Sequence, residues 1–131
     1  MKALKKLVLG AAVLSLISCA STVRFPVSSV TPAAEITAKK KQDKNKNFVI
    51  EVKTKNMASA DRLNPPKENY TVWVVTENNG TKNIGKLKVK NGKKSSLKTS
   101  FPFTVKEIFI TAEDQSELAY PSGIEISRAS F

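Results

Sequence analysis

The fold class predicted for this 131-residue chain is all-β: an antiparallel Ig-like β-sandwich of about seven strands behind an N-terminal helical signal segment. Three features of the sequence lead there. Apolar residues beyond Pro32 alternate with polar ones, the period of a half-buried strand. Turn chemistry separates the runs, at Asn79-Gly80, Lys90-Asn91-Gly92 and Pro121-Ser122-Gly123. No amphipathic helical stretch follows the first twenty residues. The length suits one domain, and a hydrophobic content of 40% supplies a modest core. A five- or six-stranded barrel is the alternative architecture.

The first element is an export signal, residues 1–18. Lys2, Lys5 and Lys6 form a positive start, and Leu7 to Ile17 is an uncharged apolar run, of signal-core length and too short to cross a bilayer. It ends in Leu16-Ile17-Ser18-Cys19, which resembles a bacterial lipobox. Cys19 is the only cysteine of the chain and falls where the motif requires the acylated residue. Each buried methylene of an attached acyl chain adds about 0.8 kcal/mol of membrane affinity. The implied protein is a membrane-associated lipoprotein of the bacterial cell envelope, palmitate-bearing at Cys19. By resemblance to Gram-negative lipoproteins, Ala20 after it points to the outer membrane, facing the periplasm or the surface.

Residues 19–32 read as a tether, with Val23 to Val27 as a short edge strand, and residues 33–131 as the sandwich. Ala34 to Lys40 and Asn47 to Lys55 flank the polar turn Lys41 to Lys46 and form a hairpin. In its second strand Phe48, Ile50 and Val52 share one face. Asn56 to Asn69 carries Pro65-Pro66 and no period, so it is a crossing loop. Tyr70 to Thr76 is almost entirely β-branched or aromatic, the pattern of a central strand covered on both sides. Trp73 within it is a core aromatic. Ile84 to Val89 and Ser95 to Thr99 are expected to pair through a three-residue loop, Lys90 to Gly92, which sets Leu87 opposite Ser95 and Gly85 opposite Leu97. Val105 to Ala112 is the next strand, Glu113 to Pro121 an acidic loop, and Gly123 to Ser127 the last strand.

Charge then narrows the function classes. The chain has 22 Lys and Arg against 11 Asp and Glu, and the export signal removes three cations, leaving 19 against 11, a net +8. Export argues against nucleic acid as the partner and for an anionic lipid, an acidic glycan or an envelope protein, the other reading of the charge being a solvated surface that serves solubility alone. The pattern leaves the oligomeric state open. The absence of histidine excludes Ser-His-Asp and Cys-His nucleophiles and Cys/His zinc sites. Glu113, Asp114 and Glu117 lack the calcium-loop pattern and read as an exposed polar loop, while Glu51, Glu107 and Glu125 read as solvent-face charges. No catalytic residue, metal site or cofactor is therefore expected.

Lys82 to Lys98 holds seven lysines and no acid. The expected hairpin register puts Lys86, Lys88, Lys94 and Lys98 on one face. Two readings follow: lysines that guard an edge strand against unwanted pairing, and a contact patch for an anionic surface.

The order of segments resembles a known family. Leu63-Asn64-Pro65-Pro66 precedes Tyr70-Thr71-Val72-Trp73-Val74, followed by Asn83-Ile84-Gly85-Lys86-Leu87, Leu97-Lys98-Thr99, Ile108-Phe109-Ile110-Thr111-Ala112-Glu113 and Tyr120-Pro121-Ser122-Gly123. This pattern, over Pro32 to Ile126, is similar to the extracytoplasmic domain of anti-sigma-K factors. The resemblance implies a β-sandwich, and the residues themselves read as a strand bulge at Gly85. The family's cytoplasmic sigma-binding domain and membrane helix have no counterpart here, so sigma binding is not carried over. The expected function is a non-catalytic binding or interaction module on a lipid anchor, with a structural envelope component or a carboxylate-dependent hydrolase as alternatives.

Overall fold

The computed structural model describes residues 20–78 and 80–131. The expected signal segment, Cys19 and Asn79 lie outside the described residues. Eight strands follow in order: β1 (Ala20–Arg24), β2 (Glu35–Gln42), β3 (Phe48–Lys55), β4 (Asn69–Thr76), β5 (Thr81–Leu87), β6 (Ser95–Phe101), β7 (Val105–Glu113) and β8 (Ile124–Ser130). They form two antiparallel four-stranded sheets, one ordered β1-β2-β3-β6 (sheet A) and the other β5-β4-β7-β8 (sheet B). The predicted β-sandwich is therefore what the chain forms. Without β1 it is a seven-stranded Ig-like arrangement, three strands packed on four.

Alternation decides which residues meet between the sheets. Ile36 and Ala38 of β2 and Ile50 and Val52 of β3 turn inward from sheet A. Tyr70, Val72 and Val74 of β4 and Ile108, Ile110 and Ala112 of β7 turn inward from sheet B. β4 lies between β5 and β7 and is buried along seven of its eight residues, as its unbroken apolar pattern predicts. The crossing loop 56–68 plugs one end of the core with Met57 and Leu63. Tyr70 reaches that loop and donates its hydroxyl proton to Ala58 O at 2.7 Å. Burial, with Asp61 adding to it, pushes the Tyr70 phenol up to about 12.

Two expectations need correction. Residues 19–32 are not a tether over their described length. Ala20–Arg24 pairs along β2, from Ala20 opposite Lys41 to Arg24 opposite Thr37, and Phe25 enters the core at 6% exposure. The cause is local: Val23 and Phe25 alternate inward, and the buried Ser28 hydroxyl caps the following turn, accepting from Val30 N and Thr31 N.

The second correction concerns β5 and β6, which do not pair. β5 bonds to β4 and β6 to β3, so residues 88–94 cross from one sheet to the other. Leu87 and Leu97 still turn inward together, now from opposite sheets. An ideal Cβ on Gly85 would stand 3.3 Å from Leu97 Cδ1, so the expected neighbours meet across the core instead of along a ladder. The glycines on either side of Leu87 keep special roles, and the expected bulge at Gly85 is present. Gly92 is left-handed at φ +73, and the β4–β5 ladder shifts register between Val72 and Trp73, opposite Gly85.

Candidate functional site

Strand alternation leaves each sheet a second face, turned away from the core, and the two differ in chemistry. On sheet B that face is apolar and buried. Trp73, Val75 and Phe109 form a cluster of their own, with Leu118 from the 114–123 connection packed on it. The Trp73 and Phe109 rings stack with centroids 6.2 Å apart. Trp73 is thus a buried aromatic, as expected, but outside the central core.

A chain of hydrogen bonds closes this face. Trp73 Nε1 donates to Thr111 Oγ1 at 2.8 Å, and Thr111 Oγ1 donates to Glu113 Oε2 at 2.6 Å. Ser122 supplies both its amide, to Oε2, and its hydroxyl, to Oε1. Glu113 is 0% exposed at the end of β7, so the expectation of an exposed loop acid fails for this residue. The reason lies in the Ser122-Gly123 turn, which lies so close that a Cβ on Gly123 would stand 1.8 Å from Ala112 O. Arg128 completes the cover: its guanidinium sits 4.0 Å from the Phe109 ring centroid, held by Glu125 at 2.6 Å and Glu107 at 3.4 Å. The Glu125 hydrogen bond leads the effects that raise the Arg128 pKa.

The outer face of sheet A is open and basic. Its register builds rows across the four strands: Thr22, Lys39, Glu51 and Lys98 in one, Arg24, Thr37, Lys53 and Ser96 in the next, and Ala20, Lys41, Val49 and Ser100 in a third. Neighbouring strands lie about 4.8 Å apart, so these side chains form one continuous surface. Seven cations (Arg24, Lys39, Lys41, Lys53, Lys55, Lys94, Lys98) stand on or at the margin of this face against Glu35 and Glu51. Those carboxylates engage Lys55 at 3.6 Å and Lys53 at 3.8 Å, exposed pairs that stabilise little. A shallow trough of about 550 Å³ opens here, with Arg24, Lys53, Lys55 and Lys94, against the single carboxylate of Glu35, around the hydroxyls of Thr37 and Ser96. Behind it the Thr54 and Ser95 hydroxyls bond to each other. Cations and hydroxyl donors in a concave setting suit the oxygens of an anion.

The four lysines singled out from the sequence are divided by this geometry. Lys94 and Lys98 belong to the sheet A surface. Lys86 on β5, paired with Thr71, and Lys88 in the crossing together line a separate cleft with Asp61 and Glu68. The single lysine face was expected from a β5–β6 hairpin, and it disappears with that pairing. Sequence reasoning missed Arg24, Lys39, Lys41, Lys53 and Lys55, although their signal is plain once strands are drawn: each alternates with a residue turned inward. Cys19 immediately precedes the first described residue, Ala20, which begins β1.

Among the described residues no group of three or more Cys, His, Asp or Glu is placed to hold a metal ion. No protein family, curated protein or solved structure matches the chain.

Proposed function

We propose that this chain is a lipid-anchored protein of the bacterial envelope, acylated on Cys19, whose sandwich is a non-catalytic binding module for acidic glycan. The outer face of sheet A is the contact. The observation that carries this reading is seven cations on one sheet surface against two carboxylates, with a hydroxyl-lined trough among them. Strand order supports the choice of a glycan over the leaflet itself. β1 runs away from the Cys19 end, so the basic face rises beside the anchor and looks along the envelope. The likeness to the extracytoplasmic domain of anti-sigma-K factors belongs to the same proposal, as an outer module carried on a lipid. An outer-membrane position, facing the periplasm or the surface, follows from the residue after the lipidated cysteine.

The test uses the full chain in detergent, passed over immobilised polygalacturonate and over neutral dextran. Retention on the acidic polymer should fall with salt, because screening acts over about 8 Å at physiological ionic strength. A variant with Arg24, Lys53 and Lys94 all changed to Gln should elute early. Equal retention of variant and wild type, or retention on dextran as well, overturns the proposed face.

A further inference from the structure

The sandwich has two ends, and the residues at the end where Ala20 lies share a composition that the glycan face does not explain. The ladders place Ala20 beside Lys41, Gln42 opposite Phe48, and Phe48 opposite Phe101. Sheet B brings Thr76 and Val105 to the same end, since Lys40 Nζ donates to Val105 O at 2.9 Å across the sandwich. Three short connections therefore project here: 43–47 between β2 and β3, 102–104 between β6 and β7, and the one after Thr76 between β4 and β5, whose exposed Glu77 lies by Phe103. The first carries Lys44 and Lys46, both exposed. The second carries Phe103, 59% exposed although its ring meets Phe101 edge-on at 5.6 Å. Asp43, in the first turn, is occupied by the turn itself, accepting from Asn45 N at 2.8 Å and Asn47 N at 2.9 Å.

We infer that this end is a bilayer-contact surface, with Phe103 entering the acyl boundary, Lys44 and Lys46 meeting anionic headgroups, and Lys41, at the lower margin of the basic face, shared between the two surfaces. The inference rests on the lipid-anchor reading of Cys19 and adds to it an orientation and a set of contacts. Because β1 begins at Ala20, no residue separates the acylated position from the folded rim, and one Cα-to-Cα step of about 3.8 Å joins them. A domain held that close has no slack to turn its other end to the leaflet. An aromatic at one loop tip, with Lys44 and Lys46 exposed at the tip of another on the same end, is the composition of an interfacial contact, and Glu77 is the carboxylate it must keep in the water. Among the described residues the other two exposed large apolar ones, Val27 and Tyr120, lie in the connections 25–34 and 114–123, which leave the strands at the opposite end. The arrangement stands the sandwich upright on the membrane, with the basic face of sheet A free to meet its ligand from the side.

The experiment places a tryptophan at each end of the full acylated chain, Phe103→Trp in one variant and Tyr120→Trp in another. Each is reconstituted in vesicles of phosphatidylglycerol and brominated phosphatidylcholine, whose bromines quench indole at the acyl boundary. Trp73 is 0% exposed and gives a common background, measured in the unmodified chain. Added emission at position 103 should be quenched and shifted to the blue, and that at 120 should not. A headgroup contact favours docking by about fivefold per lysine, so changing Lys41, Lys44 and Lys46 to Gln in the Phe103→Trp chain should restore most of the emission. Quenching at neither position, or equally at both, in a chain with acylated Cys19 overturns the docking surface and leaves the anchor standing. A Cys19 peptide of unmodified mass overturns the anchor, and the docking surface with it.

Discussion

Sheets A and B are four strands each, with the same alternation, yet their outer faces have opposite chemistry. The difference begins with two connections of ten residues each, 25–34 and 114–123. The second folds back over sheet B: Leu118 packs on Trp73 and Phe109, Asn83 Nδ2 holds Leu118 O at 3.1 Å, and Ser122 ties the far end to Glu113. The first turns the other way. Phe25 enters the central core, and Ser127 Oγ donates to Pro26 O at 2.8 Å, so this segment fastens β1 to the β8 side and leaves sheet A uncovered. A covered face can hold aromatics, and there the carboxylates are consumed by Arg128, Thr111 and Ser122. An uncovered one must be polar, and here it is polar with one dominant sign.

The sharpest way to break this comparison is to remove the covered aromatic. Trp73→Ala should destabilise the domain by about 3–5 kcal/mol, since it deletes a fully buried ring and leaves Thr111 without its donor. Against a typical total of about 5–15 kcal/mol that can approach unfolding. Denaturant titration followed by circular dichroism measures it, and an unchanged midpoint would show that the outer face of sheet B is not a second core. A smaller effect separates hydrogen bonding from charge at Glu113. Glu113→Leu strands the Thr111 and Ser122 donors and should cost about 1–3 kcal/mol. Glu113→Gln should cost less, because its carbonyl can accept from Thr111 and Ser122 N while its amide donates to Ser122 Oγ. Equal losses in the two variants would mean that the carboxylate's charge, and not its acceptor geometry, secures the loop.

Much of this was legible in the sequence where a signal is local. The period-two run through Phe48, Ile50 and Val52 locates β3, and the unbroken apolar run from Tyr70 to Thr76 locates the central strand. Pairing between sheets is not local. Facing Gly85 and Leu87 toward Ser95 and Leu97 satisfies the same apolar pattern whether the two strands share one sheet or face each other across the core, and only the long-range partners, β4 and β3, decide. That single ambiguity moved Lys86 away from Lys98 and dissolved the expected lysine face. The basic surface that exists instead draws its cations from β1, β2, β3 and the β6 region, over more than seventy residues of sequence. Glu113 shows the same limit at one residue. Beside Asp114 and Glu117 it reads as a loop acid, and nothing local announces that the Ser122-Gly123 turn returns to bury it.

The smallest expected effect is the one that most directly distinguishes the open face from the covered one. On sheet A, Lys39 and Lys98 flank Glu51 in one row, while Lys53, on the same strand as Glu51, approaches it at 3.8 Å. With several cations around one exposed carboxylate, each attraction is shared, screened by solvent and opposed by repulsion between the lysines. Lys39→Gln and Lys98→Gln should therefore change stability by no more than about 0.5 kcal/mol in either direction. The same substitutions should weaken retention on polygalacturonate, because a ligand carrying many charges senses the summed field of the face and not one pair. Thermal melts and retention, measured on the same preparations, give the two readouts. If either variant lost more than about 1 kcal/mol, a size typical of a buried or networked contact, the lysines would be holding the sheet together and the face would be structural, like its counterpart on sheet B. Unchanged melting with reduced retention would mean that these lysines stand on the surface to meet something outside the molecule.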